Sequence, residues 1–208
     1  VFFIIQIALV LICFVTLIEY SWFEDAGIAL DQALLQSVSM STTAGFATTD
    51  FAHWPAFLPI MLIFSSFIGG CAGSTGGGLK VIRVFLLYLQ GKREVNRLIH
   101  PKAIYSVKVG GRALPDRVVE AVWGFFSAYA MIFVIIMVCL IGTGMDDVSA
   151  FTATAATLNN LGPGLGSVAG TYADVTDSGK WLLILAMLFG RLEVFSLLVL
   201  FSPTFWRS

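Results

Sequence analysis

The sequence is poor in charge and in cysteine. Charged residues make up 12% of its 208 residues and apolar residues 58%, whereas soluble domains average about 25% and about 45–50%. So few charges cannot cover a water-facing surface, which excludes a soluble globular protein, and the net charge of -1 leaves no basic excess for a nucleic-acid partner. The three cysteines, Cys13, Cys71 and Cys139, lie in apolar or Gly-rich segments without paired spacing. We therefore expect free thiols and no disulfide.

Lys and Arg are also unevenly placed. None occurs in residues 1–79 or 118–179, and 9 of the 12 lie between Lys80 and Arg117. By the positive-inside rule, this basic stretch is predicted to be cytoplasmic. Most acidic residues then fall on the outer side, where they attract cations.

Four apolar segments are long enough to cross a bilayer, which takes about 20 helical residues. They cover approximately residues 1–20, 54–90 with an interruption, 116–142 and 181–201. This pattern predicts an all-α, multi-pass membrane protein embedded in a lipid bilayer, with both ends of the sequence cytoplasmic. The sequence starts inside an apolar run without Met, and we expect it to be part of a longer polypeptide.

Two further segments are too apolar for simple external loops and too short to cross. The first starts at Glu24 and Asp25 and provides about 14 helical positions, or roughly 21 Å. The second starts at Asp146 and Asp147 and ends in a Gly-Pro-Gly break at residues 162–164. Both are predicted to be half-helices that enter from outside and stop near mid-membrane. The alternative is two ordinary external loops that happen to be apolar.

The two halves of the sequence repeat this plan. A shift of 117 residues places Gly45 on Gly162 and Ala33 on Ala150. The predicted fold is therefore two repeats of helix, re-entrant pore loop and helix, an internal duplication that is common in transporters and channels. The repeats cover residues 1–90 and 116–208, and a basic cytoplasmic linker, 91–115, joins them. We expect short helical pieces in the linker, with turns at Gly91, Pro101, Gly110-Gly111 and Pro115.

The end of each half-helix carries the candidate ion site. Backbone that leaves helical geometry inside a membrane must line a cavity or be buried in protein. Small residues and glycines free carbonyl oxygens, which can replace the water shell of a monovalent cation. Neither loop contains Asp or Glu, which argues against a divalent-selective carboxylate ring. The candidate filter residues are Thr42, Thr43, Ala44, Gly45 and Phe46 in the first loop, and Asn160, Leu161, Gly162, Pro163 and Gly164 in the second.

The second span is interrupted by six glycines between residues 69 and 78. Each costs about 1 kcal/mol relative to Ala in a helix, so the helix is predicted to break there, on the cytoplasmic side of the filter. A loop at that point can obstruct the ion path. The candidate gate residues are Gly73, Ser74, Thr75, Gly76, Gly77, Gly78 and Lys80. A phosphate-binding loop is the alternative, but an extra residue precedes the Lys, Ser/Thr is missing after it, and no strand precedes the loop.

Arg191 is the remaining candidate gate residue. It lies at the centre of the predicted fourth span, where an unpaired charge costs about 3 kcal/mol or more. We expect it to face the pore beneath the filter, to hydrogen-bond carbonyls of the Gly69–Gly78 loop and to raise an electrostatic barrier. The alternative is a structural ion pair with a helix outside this sequence.

Four stretches, STTAGF, GGCAGSTGGGLKVIRV, TLNNLGPGLG and LFGRLEVFSLLVLFSPTFWR, closely resemble the C-terminal half of TrkH-type subunits of bacterial potassium uptake systems, in the Trk/Ktr/HKT superfamily. The resemblance implies that the two repeats of this sequence are the third and fourth of four potassium-channel-like repeats of helix, pore loop and helix. Asn160 stands where the filter pattern of this superfamily has Thr. The resemblance also implies an intramembrane gating loop and a gating role for Arg191. Potassium is then held by backbone carbonyls of Thr43, Ala44, Gly45, Asn160, Leu161 and Gly162.

The same resemblance implies the partners and the location. The partners are an N-terminal half carrying the other two repeats, a second copy in a homodimer, and a nucleotide-binding regulatory subunit on the cytoplasmic face. The location is the bacterial inner membrane. Potassium is the substrate, and no cofactor or enzymatic activity is expected. A coupled carrier of another solute is the alternative function, since re-entrant loops also form the binding tips of carriers.

Overall fold

The computed structural model describes residues 1–55, 57–71, 73–74, 76–100, 103 and 105–192. This part of the chain is mostly helical, which confirms the helical prediction. Its α-helices are α1 (Phe2–Glu19), α2 (Ala26–Ser41), α3 (Leu58–Ile68), α4 (Val81–Ile99), α5 (Asp116–Gly142), α6 (Asp147–Leu158) and α7 (Asp177–Arg191). Two short 3-10 helices cover Phe51–His53 and Gly166–Val168, and one hairpin pairs β1 (Lys108–Val109) with β2 (Arg112–Ala113).

The long apolar helices lie where the hydrophobic runs predict them. Among the described residues, α1 and α5 are long and apolar enough to cross a bilayer. The second predicted span is divided into α3, of only 11 residues, and α4, with non-helical residues between them. Of the fourth predicted span, residues 181–191 belong to α7, while 193–201 lie outside the described residues.

The helices α2 and α6 are capped by the acidic residues that the sequence predicts as their starts. At the start of α2, the Asp25 carboxylate accepts a hydrogen bond of 3.0 Å from the Gly27 N–H. At the start of α6, Asp146 accepts one of 3.0 Å from the Ser149 N–H. Side-chain oxygens at this position satisfy N–H groups that have no partner within the helix. The carboxylates therefore fix where both helices begin.

The repeats share one apolar core. Buried residues of the first repeat, including Leu17, Met40 and Leu62, pack in the same cluster as Ala155 and Leu161 of the second. Small side chains let the helices approach closely, as in other membrane bundles. A second cluster joins α5, α6 and α7 around Leu140, Ala153 and Leu183. The two loops that follow α2 and α6 are thereby held next to each other.

The basic linker differs from its prediction at one of its turns. Gly91 lies inside α4, which continues to Ile99, so the predicted turn at Gly91 is wrong. Good helix formers surround this glycine, and its cost of about 1 kcal/mol is small against a packed helix. Gly110 and Gly111 form the predicted turn, both with positive φ, between β1 and β2. Pro101 lies outside the described residues.

Candidate ion pathway

The loops after α2 and α6 have the same backbone conformation. Their first residues, Thr42 and Asn159, have φ/ψ of −87°/−1° and −86°/−2°. The next residues, Thr43 and Asn160, both adopt left-handed φ values, 58° and 52°. Two residues further on, Gly45 and Gly162 again have positive φ, 78° and 108°. These pairs are 117 residues apart, so the repeat in the sequence is also a repeat in backbone geometry.

The hydrogen bonds repeat as well. The Ala44 N–H donates to the Ser39 carbonyl at 2.8 Å, and the Leu161 N–H donates to the Ala156 carbonyl at 2.7 Å. Such 6→1 bonds over a left-handed residue define the Schellman motif that ends many helices. At the end of each half-helix, an N–H group of the following loop therefore donates to a carbonyl of the helix.

The N–H groups of Ala44 and Leu161 are hydrogen-bonded, whereas most carbonyl groups of these loops have no hydrogen bond to a described residue. Among the described residues, no hydrogen bond reaches the carbonyl oxygens of Thr43, Ala44, Gly45, Asn160 and Leu161. The Gly162 carbonyl accepts from the Tyr172 hydroxyl at 2.9 Å. Lipid offers no donor to a carbonyl. Within the described part of the chain, these oxygens are therefore available to water or a cation.

The two loops touch at Gly45. A Cβ atom at this position would collide with the carbonyl oxygen of Leu161 and would lie 3.7 Å from Cδ of Pro163. At Gly162, a Cβ atom would meet nothing within 4 Å. Further along, the Phe46 carbonyl accepts from the Ser39 hydroxyl at 2.6 Å, and a Cβ at Gly164 would press on the Val168 side chain. Of the equivalent glycines Gly45 and Gly162, Gly45 is therefore the one that the opposite loop encloses.

The glycine-rich segment leaves helical geometry between α3 and α4, as predicted. Its ends are pinned by hydrogen bonds from the Leu79 N–H to the Phe67 carbonyl, at 2.9 Å, and from the Val81 N–H to the Gly70 carbonyl, at 3.1 Å. Gly73 and Ser74 are exposed. Thr75, a predicted gate residue, lies outside the described residues.

The middle of this segment reaches both candidate filter loops. The Gly77 N–H donates to the Thr43 hydroxyl at 3.1 Å. A Cβ atom at Gly77 would collide with the Asn159 backbone, and one at Gly76 would lie 3.2 Å from the Thr42 carbonyl oxygen. The absence of side chains at both glycines is what allows this close approach.

A cavity of about 70 Å³ lies beside this contact, more than the roughly 10–15 Å³ that one water needs. Arg191, the last residue of α7, is exposed and lines this cavity together with the glycine-rich segment. The structure thus brings five of the predicted gate residues together at this cavity, namely Ser74, Gly76, Gly78, Lys80 and Arg191. The other lining residues include Tyr129, Leu158 and Gly190.

Two residues around the second loop are not among the sequence candidates. Tyr129 of α5 and Ser66 of α3 are buried and hydrogen-bond the Asn159 side chain. Asn160 donates to the Met187 carbonyl of α7 at 3.3 Å. Polar residues inside apolar helices are a signal for such contacts, but the sequence does not show which of them meet.

Acidic groups lie at the N-terminal ends of α2 and α6, as the N-caps Asp25 and Asp146. The hydroxyl and the backbone N–H of Ser149 lower the pKa of Asp146 below its usual range. This carboxylate is therefore charged at neutral pH. Within the part of the chain that the structure describes, no three His, Cys, Asp or Glu residues are grouped to hold a metal ion.

The comparisons with known proteins agree on one family. The sequence matches the family described as TrkH, cation transport protein, over residues 2–208. The chain belongs to the TrkH family. It is 65% identical over 207 residues to the Trk system potassium uptake protein TrkH of Vibrio parahaemolyticus, and 59% identical over 204 residues to that of Escherichia coli K12. These matches cover 100% and 98% of this chain.

A solved structure of this family has the same fold. The crystal structure of the potassium transporter TrkH from Vibrio parahaemolyticus matches with a TM-score of 0.93 over 99% of this chain and 44% of that one, at 65% identity. The chain spans about two fifths of the curated relatives' length, 43% and 42% for the two TrkH proteins above. The relatives are transport proteins, which agrees with the expectation of a non-enzymatic family.

Proposed function

We propose that this chain supplies two of the four re-entrant pore loops of a potassium transporter, as part of a longer polypeptide. The relatives are named as potassium uptake proteins. The observation that carries the proposal is the pair of loops with repeated backbone geometry, in which five carbonyls accept no hydrogen bond from the described residues. They belong to Thr43, Ala44, Gly45, Asn160 and Leu161. Water alone would also satisfy such carbonyls, but two adjacent sets of them form a site for a dehydrated cation.

In this proposal, potassium exchanges its hydration water for the backbone carbonyls of Thr43, Ala44, Gly45, Asn160, Leu161 and Gly162. The helices α2 and α6 both end at these loops. Each helix C-terminus carries roughly half a negative charge, which favours a cation. No side-chain carboxylate occurs within either loop, so a monovalent ion fits better than a divalent one.

The glycine-rich segment and Arg191 form the gate of this pathway. Support comes from the hydrogen bond between Gly77 and Thr43 and from the cavity that Arg191 and Gly76 both line. A guanidinium below the filter raises the energy of a passing cation. It also donates hydrogen bonds to carbonyls of the loop, which holds the loop across the path.

We extend this proposal to the rest of the assembly. The remainder of the polypeptide carries the other two pore repeats, and two copies form a dimer in the bacterial inner membrane. Residues 1–90 and 116–208 are the two repeats, and the basic linker 91–115 faces the cytoplasm, where a nucleotide-binding regulatory subunit docks.

Potassium uptake by the complete polypeptide tests the proposed function. Cells that lack their own potassium uptake systems should grow at low potassium when the complete protein is expressed, and purified protein in liposomes should prefer potassium over sodium. Transport of an organic or anionic solute without potassium flux would contradict the proposal.

Removal of the Arg191 charge tests the gate. Arg191→Ala should raise potassium flux per folded molecule in the absence of the regulatory subunit, and so should deletion of Gly76 to Gly78. The two changes combined should be less than additive because both remove one interaction. Normal flux together with poor folding would show that Arg191 has a structural role instead.

A further inference from the structure

Asn159 is a buried polar residue at the point where α6 ends and the second loop begins. Its side chain is fully buried, and it directly precedes Asn160, the first residue of the proposed filter quarter. A buried side-chain amide is costly unless its oxygen and nitrogen are both hydrogen-bonded. The surroundings of Asn159 meet this requirement with groups from two other helices.

The Tyr129 hydroxyl on α5 donates to Oδ1 of Asn159 at 2.5 Å. On the other side, Nδ2 of Asn159 donates to Oγ of Ser66 on α3 at 2.8 Å. The Ser66 hydroxyl in turn donates to the Ile63 carbonyl at 2.6 Å. These groups form one directed chain of hydrogen bonds, in which each bond polarises the next. The chain links α3 of the first repeat to α5 and α6 of the second.

The backbone of Asn159 is confined as well. Its N–H donates to the Ala155 carbonyl at 3.0 Å, and its carbonyl lies against Gly77. The next residue has the left-handed φ of 52°. A rotation at Asn159 would therefore move the carbonyls of Asn160 and Leu161 directly. Binding sites keep their preference only when their ligating atoms are held within about 0.5 Å.

The equivalent position in the first loop lacks such a link. There the Thr42 hydroxyl donates to the Val38 carbonyl of its own helix at 2.7 Å. The side-chain bridge to neighbouring helices at this position is therefore a property of the second loop within the described residues.

We infer that Asn159, clamped by Tyr129 and Ser66, is a positioning residue that sets the potassium preference of the second loop; this inference rests on the proposed function. Asn159 does not touch the ion. It fixes the place from which the filter backbone starts, and so it fixes the spacing of the carbonyls that follow.

The test uses the complete transporter in liposomes, with potassium and sodium flux measured per folded molecule. Asn159→Leu keeps the size of the side chain and removes both bonds, and it should lower the potassium-to-sodium ratio about tenfold. Tyr129→Phe and Ser66→Ala each remove one hydroxyl and should lower the ratio about threefold. Asn159→Leu combined with Tyr129→Phe should lower it no further than Asn159→Leu alone.

Ser65→Ala is the matched control. Ser65 is a neighbour of Ser66 on α3, is also buried, and donates only to the Leu62 carbonyl of its own helix, at 2.7 Å. Its loss should leave the ion ratio unchanged. A selective wild type with an unchanged ratio in Tyr129→Phe and Ser66→Ala would overturn the inference and leave the proposed function standing. These two variants decide the matter even if Asn159→Leu fails to fold. A wild type without potassium preference would overturn both.

Discussion

The two candidate filter loops have the same backbone conformation but are held by different hydrogen bonds. In the first loop, the Thr42 hydroxyl bonds its own helix, and the Thr43 hydroxyl accepts from Gly77 of the glycine-rich segment. In the second loop, Asn159 bonds α3 and α5, and Asn160 bonds α7. The first loop is thus attached to the proposed gate, and the second to the surrounding helices.

This difference shows how a duplicated unit can take two tasks. The backbone that we propose to bind the ion has the same conformation in both loops because the Schellman ending uses only main-chain bonds. The side chains just before and within the turn are free to differ. A short hydroxyl leaves room for the glycine-rich segment to approach, whereas a longer amide reaches neighbouring helices. One loop can then respond to the gate while the other gives a fixed reference.

The largest effect is expected at the filter glycines. Gly45→Ser should lower the potassium-to-sodium flux ratio by at least about tenfold, because its Cβ would collide with the Leu161 carbonyl at a φ of +78°. Gly162→Ser also meets an unfavourable φ, a cost of about 1–3 kcal/mol, but it has open space around it and should have the smaller effect. Flux of both ions in liposomes at matched protein amounts measures this order. Equal losses in the two variants would contradict the difference in packing.

The second-largest effect is expected where α7 contacts the second loop. A Cβ at Gly190 would collide with the Leu158 carbonyl and lie 2.5 Å from Nδ2 of Asn160. Gly190→Ala should therefore destabilise the complete protein by about 1–3 kcal/mol. Gly91→Ala is the control, since Gly91 is helical and has nothing within 4 Å of its Cβ position, and it should stabilise by about 0.5–1 kcal/mol. The apparent Tm of the two variants in detergent should move in opposite directions; a shift in the same direction would argue against the packing.

A smaller effect is expected where the first loop meets the gate. Thr43→Val keeps the branched shape but removes the acceptor for the Gly77 N–H, a loss of about 1 kcal/mol. Potassium leak without the regulatory subunit should rise about fivefold. Thr143→Val is a control at the C-terminal end of α5, where the hydroxyl donates to the Leu140 carbonyl of its own helix. If Asn160→Ala raised the potassium leak as much as Thr43→Val, the two loops would be coupled equally to the gate. That result would contradict the difference between the loops.

The smallest effect concerns the caps of the half-helices. Asp146→Ala and Asp25→Ala should each cost about 1 kcal/mol of stability. Because the pKa of Asp146 is lowered in the folded protein, its contribution is complete above the ordinary Asp pKa of about 3.9. It is lost as pH falls through the lowered value. Unfolding curves of wild type and Asp146→Ala should therefore converge in strong acid, and a gap that persists there would contradict the cap.

The sequence by itself determined the order of the main α-helices. Hydrophobic length predicts α1 and α5, the acidic residues predict the starts of α2 and α6, and the run of glycines predicts the break before α4. Each of these depends on local properties such as capping, propensity and length. The 117-residue repeat is visible for the same reason, since Gly45 and Gly162 occupy a backbone conformation that few other residues adopt. The prediction of a turn at Gly91 was wrong because the packing of α4 outweighs the low helix propensity of one glycine.

Tertiary structure alone decided which polar groups meet. Gly77 bonds Thr43 across 34 residues, and Asn159 bonds Ser66 across 93. Such pairs depend on how the shared core brings α3, α5 and α6 together, and no local preference encodes them. The glycines mark a helix break in the sequence, but only packing shows that their missing side chains leave room for the filter backbone. For the same reason, nothing in the sequence distinguishes Tyr129 from the other aromatic residues of the apolar segments. Only the folded chain shows that its hydroxyl donates a hydrogen bond to the second loop.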